Sequence, residues 1–185
     1  MTKKIMLVCA LAMILVSCST KKFDENLTKA FVSAQICYGA SELIIDNTTS
    51  VWSKAIYDNR DSHGEYCSDF NTALYRLFKD YKEKDVFSTI SEYQEELKTA
   101  VSSMSKAPKS RKEAYDDILQ IATEINMLCE MTEEPSGSLQ SYRSQTNDLL
   151  FNLKKELDAF ELKYGDFLVK NLLNEINESS NNQNI

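Results

Sequence analysis

Glycine and proline are scarce in this chain, with four glycines and two prolines in 185 residues. Tight turns draw on those residues, so a sandwich or barrel of many short strands is a poor reading. A single histidine, His63, leaves no material for the paired Glu-x-x-His motifs of a di-iron bundle or for HExxH. No CxxC, glycine-rich phosphate loop or EF-hand pattern occurs. Positive charge is also short, with 21 Lys and Arg against 28 Asp and Glu for a net −7. Nucleic-acid binding needs clustered cations against phosphate, so that class drops out. Long apolar runs are missing too, with one exception at the start of the chain.

That exception begins after Met1-Thr2-Lys3-Lys4 and runs from Ile5 to Val16 without a charged or strongly polar residue. A dozen apolar residues suit the h-region of a secretory signal and fall short of the ~20 that span a bilayer. Ser17 and Cys18 follow. The run Leu15-Val16-Ser17-Cys18 resembles the lipobox of bacterial lipoproteins. The resemblance implies cleavage before Cys18, diacylglycerol on its sulfur, and export to the cell envelope with a lipid anchor in a bacterial membrane. A single acyl chain holds a protein only marginally, whereas two or three make release negligible. Residues 1–17 are then a signal peptide and 18–26 a lipidated tether. Lys21 and Lys22 would sit near the headgroups, each adding about 1 kcal/mol on an anionic leaflet.

Of five cysteines, Cys9 leaves with the signal and Cys18 takes the lipid. Cys37, Cys67 and Cys129 remain, and they allow either one disulfide with a free thiol or three buried thiols.

Abundant Glu, Lys, Leu and Ala, with few breakers, predict long helices. Leu27, Phe31, Ala34, Tyr38, Ser41, Ile45, Thr48, Trp52 and Ala55 recur at steps of four and three, a seam on one helical face. Ile44, Val51 and Ile56 widen it, as a bundle requires. Gly39, inside the seam, is expected to mark close backbone packing. Asp58–Cys67 is polar and turn-rich, a loop after which Ser68 or Asp69 caps a helix with the face Phe70, Leu74, Leu77 and Tyr81. The phase slips near Lys84, and Val86, Ile90, Tyr93, Leu97, Ala100 and Met104 form a new seam, on either a second helix or one bent helix, with Asp85 as a cap. After Pro108, Ser110-Arg111-Lys112-Glu113 has the form of a capping box. It opens a helix through Ala114, Ile118, Ile121, Ile125 and Leu128 that ends before Glu133-Glu134-Pro135-Ser136-Gly137. A last helix from Ser138 carries Tyr142, Thr146, Leu149, Leu153, Leu157, Phe160 and Tyr164. Gly165 is expected to end or bend it, leaving Phe167, Leu168, Leu172 and Ile176 as a shorter stripe. The reading is an all-α protein: an antiparallel bundle of four or five long helices over 27–177, followed by a disordered polar tail at 178–185.

Three stretches carry a second resemblance: Val51-Trp52-Ser53-Lys54-Ala55-Ile56-Tyr57-Asp58, Asp69-Phe70-Asn71-Thr72-Ala73-Leu74, and Pro135-Ser136-Gly137-Ser138-Leu139-Gln140-Ser141-Tyr142. Together, across roughly Trp52 to Phe151, they resemble a group of small helical bacterial lipoproteins and related secreted proteins. The resemblance implies a helical fold and supplies no catalytic residue.

The residues name no reaction. His63 and Cys67 share a loop, but a solvated histidine is the ordinary outcome there. Glu95-Glu96, Asp116-Asp117 and Glu133-Glu134 read as solvated charge. No catalytic, cofactor or metal residue is expected. Tyr57, Tyr66 and Tyr75, on or near the Asp58–Cys67 loop, mark the best candidate for a binding face. The expected role is a non-enzymatic interaction module of the cell envelope. Its partners would be the membrane, through the lipid, and an unidentified envelope protein. The alternative is a small-molecule or lipid carrier with a cavity between helices, though the regular seams favour a filled core.

Overall fold

The computed structural model describes residues 2–182, and the side chains of residues 20–173. Five α-helices make up these residues: α1 (Thr2–Tyr57), α2 (Phe70–Glu83), α3 (Val86–Ser103), α4 (Lys112–Glu133) and α5 (Leu139–Asn182). A 3₁₀ turn at Lys109–Arg111 leads into α4, and the one strand-like feature described is an isolated bridge between Arg60 and Tyr66. The helices pack as an antiparallel bundle. α1 runs up, α2 and α3 together run down, α4 runs up and α5 runs down.

The seam of α1 explains its place. Leu27, Phe31, Ala34, Ser41, Ile45, Thr48, Trp52 and Ala55 are all buried, and Tyr38 is half-buried. Ile44 and Val51 join them, while Ile56 faces out at 45% exposure. Each large apolar side chain buried in this way contributes roughly 1.5–3 kcal/mol. Aromatic contacts tie the layers at both levels of the bundle. Phe31 of α1 stacks on Phe160 of α5 with ring centroids 5.0 Å apart, and Trp52 meets Phe70 at 5.4 Å and Tyr142 at 5.7 Å.

The descending second leg is two helices. α2 ends at Glu83 and α3 starts at Val86, with Asp85 between them in the left-handed region at φ 53°. Asp85 makes no side-chain cap; its carbonyl instead accepts from the Ser88 hydroxyl at 2.8 Å. Phe78, Tyr81 and Phe87 gather around the break at centroid distances of 5.6–5.8 Å, so packing supplies what the missing cap does not. Asp69 does cap α2, accepting the Thr72 amide at 3.0 Å.

Several expectations are corrected. Residues 20–26 of the expected tether belong to α1: Phe23 is buried, and Asp24 pairs with Arg111. Cys18 and residues 1–17 lie outside the described side chains, as does the polar tail at 178–185. The Ser110–Glu113 capping box does not form. Arg111 occupies the N-cap position of α4 without a side-chain cap, and its guanidinium instead reaches Asp24 through bonds of 2.9 and 3.2 Å. The reciprocal cap sits at Ser138–Ser141, where each serine hydroxyl accepts the other's amide, at 2.9 and 3.1 Å. Gly137, at φ 85°, makes the turn before it. α5 passes through Gly165 without ending.

Gly39 departs furthest from expectation. It lies in mid-helix, yet a Cβ built there meets nothing within 4 Å, so no close packing requires glycine. Glycine in a helix interior costs about 0.5–1 kcal/mol relative to alanine. Gly39→Ala is therefore expected to raise the melting temperature by about 1–4 °C, measured by circular dichroism. An unchanged or lower value would show that the site is not open.

Candidate functional site

The sequence placed its candidate face at the end of the bundle where α1 meets α2, and the structure builds an ordered loop there. The Asp58 amide donates to the Lys54 carbonyl at 2.8 Å, which closes α1. Asn59 then takes a left-handed turn at φ 52°. The chain doubles back through Asp61 N to Glu65 O at 2.9 Å and Cys67 N to Asn59 O at 3.0 Å, with Gly64 at φ 78° turning the tip.

Asp61 organises the loop. It is 1% exposed, and its Oδ1 accepts the amides of His63 and Glu65, both at 2.9 Å. Its Oδ2 accepts from the Arg76 guanidinium of α2, which fastens the loop to that helix. Burial works against the Asp61 charge, but Arg76 and the two amides outweigh it and hold the carboxyl below the usual aspartate range. His63 Nε2 lies 2.8 Å from Asp80 Oδ2 of α2. Cys67 is buried, and no hydrogen bond joins it to His63 among the described residues. The two residues do not form a nucleophile–base pair.

Tyr57, Tyr66 and Tyr75 flank this loop and are 75%, 73% and 71% exposed. No ring contact links the three to one another among the described residues. They are separate amphipathic side chains around an ordered loop, and Tyr57 also borders an open cleft with Ile56, Leu139 and Arg143.

Elsewhere the polar residues settle into pairs within and between helices. Glu96 accepts from Ser33 at 2.9 Å, and Glu95 pairs with Lys98. Asp116 pairs with Lys112. Asp117 receives both Lys163 and the Tyr164 hydroxyl, and Glu113 also pairs with Lys163. Asp117 and Glu113 hold the Lys163 ammonium well above its usual range. Among the described residues no group of three or more His, Cys, Asp and Glu side chains could hold a metal ion. Glu95–Lys98 and Lys112–Asp116 are spaced for pairing within one helix, whereas Ser33–Glu96 and the Lys163 pairs join positions remote in the chain, of which local spacing gave no sign.

All three remaining cysteines are buried free thiols. The neighbouring Cys129 sulfur and burial push the Cys37 thiol up. Ser41, one turn after Cys37, lies 3.9 Å from the Cys129 sulfur. Thr146, the other polar seam residue with a described bond, donates to the Tyr142 carbonyl of its own helix at 2.8 Å. These polar seam positions do not gather into a wet interior site. A cleft of about 950 Å³ opens to solvent between the start of α4 and the second half of α5, beside Arg111, Glu113, Lys163 and Phe167.

Two outcomes follow from the electrostatics. Asp61→Asn is expected to release the loop: the His63 and Glu65 amides should exchange with deuterium faster, while total helicity stays unchanged. Because the folded Asp61 pKa is lowered, its contribution is complete at neutral pH. It is lost only as pH falls below the unfolded ~3.9 toward the lower folded value, so loop exchange should rise there in the wild type. Glu156 shows the opposite sign. Burial, then Glu124 nearby, raise its carboxyl pKa, and its Oε2 is buried without a partner while Oε1 accepts from Gln120. A raised carboxylate penalises the fold at neutral pH and ceases to do so once pH drops below the unfolded value. Glu156→Gln should therefore raise the melting temperature at pH 7, with the gain vanishing below about pH 4.3. An equal gain at both pH values would assign the effect to packing.

In comparisons with family models, curated proteins and solved structures, nothing matches this chain.

Proposed function

We propose that this chain is a bacterial lipoprotein, exported and held at a membrane of the cell envelope by lipid on Cys18. Its bundle serves as a non-enzymatic interaction module that docks another envelope protein. One observation carries the reading: Leu15-Val16-Ser17-Cys18 stands directly after the apolar run Ile5–Val16 and its leading lysines. The exposed tyrosines around the Asp61 loop support the docking half, because they present large amphipathic area on a support that is already ordered. A carrier needs a cavity between its helices, and the cleft beside Arg111 and Phe167 is an open surface groove, which favours docking.

The test compares full-length wild type with Cys18→Ala and with Tyr57→Ser/Tyr66→Ser/Tyr75→Ser in a bacterial host. Metabolic lipid labelling, membrane fractionation and in-cell cross-linking are read from the same samples. Wild type is expected to label and to fractionate with membrane, and Cys18→Ala to lose both. The triple tyrosine variant should keep its lipid and lose the cross-linked species. A Cys18→Ala protein that still labels would overturn the anchor; a tyrosine variant that cross-links as wild type does would remove the docking face.

A further inference from the structure

The two ends of the bundle carry opposite charge. The α3–α4 connection, Met104–Lys112, holds Lys106, Lys109, Arg111 and Lys112 and no acidic residue. At the other end, the α4–α5 connection from Glu130 to Ser138 holds three acidic residues and no basic one. The Asp58–Asp69 loop beside it holds four acidic residues and one arginine. The chain is acidic overall, so a basic end is a local feature that net charge conceals.

Topology brings the start of α1 to that same basic end. Asp24 and Arg111 pair across the bundle at 2.9 Å, and Lys22 and Lys106 border one cleft together with Phe23 and Pro108. Asn171, on the second half of α5, donates to the Asp24 carbonyl at 3.3 Å and closes the group. Four acids at this end are engaged, Asp24 by Arg111, Glu25 by Lys21, Asp116 by Lys112 and Glu113 by Lys163, while Asp166 is exposed and makes no ion pair among the described residues. Lys22, Lys106 and Lys109 are exposed and make no ion pair among the described residues. Lys22 lies four residues after Cys18.

We propose that this end of the bundle is a second membrane contact, in which Lys22, Lys106 and Lys109 face the headgroups of anionic phospholipids. The inference rests on the Cys18 anchor, which delivers the patch to a bilayer, and it adds an orientation that the anchor alone does not impose. Ammonium groups within a Debye length of an anionic surface, about 8 Å at physiological salt, are drawn to it, whereas the acidic far end would be repelled if it were turned to that surface. Lys54 is the internal control. It is exposed near the far end of α1, about 48 Å along the helix from Lys22 at 1.5 Å per residue.

The experiment uses full-length protein purified from membranes with its lipid and reconstituted into vesicles. One set contains phosphatidylglycerol with phosphatidylcholine, the other phosphatidylcholine alone. A membrane-impermeant amine reagent labels the outward-facing protein, and mass spectrometry reads each lysine. Lys22, Lys106 and Lys109 are expected to label about threefold or more slowly on the anionic vesicles, with Lys54 and Lys79 unchanged and the protection lost in high salt. Lys106→Glu/Lys109→Glu, both exposed positions without partners, should keep full helicity and lose the protection of Lys22. Protein that floats with both vesicle sets but labels equally on each overturns this inference and leaves the anchor standing. Protein that carries no lipid and stays off both vesicle sets overturns the anchor and the orientation together.

Discussion

Every other helix of the bundle lies against α1. Its seam runs from Phe23 to Ala55, and its partners cover it with complementary side chains. α4 and α5 do so as single helices. The descending leg between α1 and α4 uses two, because its apolar phase slips after Tyr81 and one straight helix would turn the α3 seam toward solvent. The break at Lys84–Asp85 keeps Ile90, Leu97 and Met104 pointed at α1 and α4. It puts a non-glycine residue in the left-handed region, a strain of order 1 kcal/mol. The aromatic trio at the break and the core beyond it offset that strain.

The same dependence explains what could be read from the sequence. Burial on α1 repeats every three or four residues, so its core positions were legible almost one by one. The start of α2, the end of α4 and the start of α5 were legible as well, from Asp69, the Glu133–Gly137 turn and Ser138. Capping was read less well, because two serine-led segments looked alike. Ser138 caps because its hydroxyl has no competing use. At Ser110–Glu113 the neighbouring Arg111 is drawn to Asp24 and over the Phe167 ring, which sets the entry to α4 from outside the segment. The expected tether failed for a related reason. Residues 20–26 are polar by composition, yet Phe23 is buried and Asp24 has its partner more than eighty residues away, which no local pattern reveals. Gly39 was read as a contact because glycine in a seam often is one; only the surrounding side chains show that space is open there.

The candidate face was legible as residues but not as an arrangement. Tyrosines beside a polar loop could be picked out by type and position. That Asp61 is buried and gathers two amides and Arg76 could not, since an aspartate in a turn-rich stretch is ordinarily solvated. This hub makes the loop a fixed platform and not a flexible connection, and it orders the surface around the three rings before any partner arrives.

The continuity of α1 from residue 20 into the core has a mechanical consequence. A tether of unstructured residues would let an anchored domain swivel, sampling partners at every height and angle. Here the segment next to Cys18 is already part of the load-bearing helix, clamped by Asp24–Arg111 within one turn of Lys21. A lipid on Cys18 would then work less like a leash than like the foot of a mast. Torque applied at the far tip, about 55 Å along α1 from Thr20 to Tyr57, would be transmitted to the bilayer surface instead of being absorbed by a slack joint.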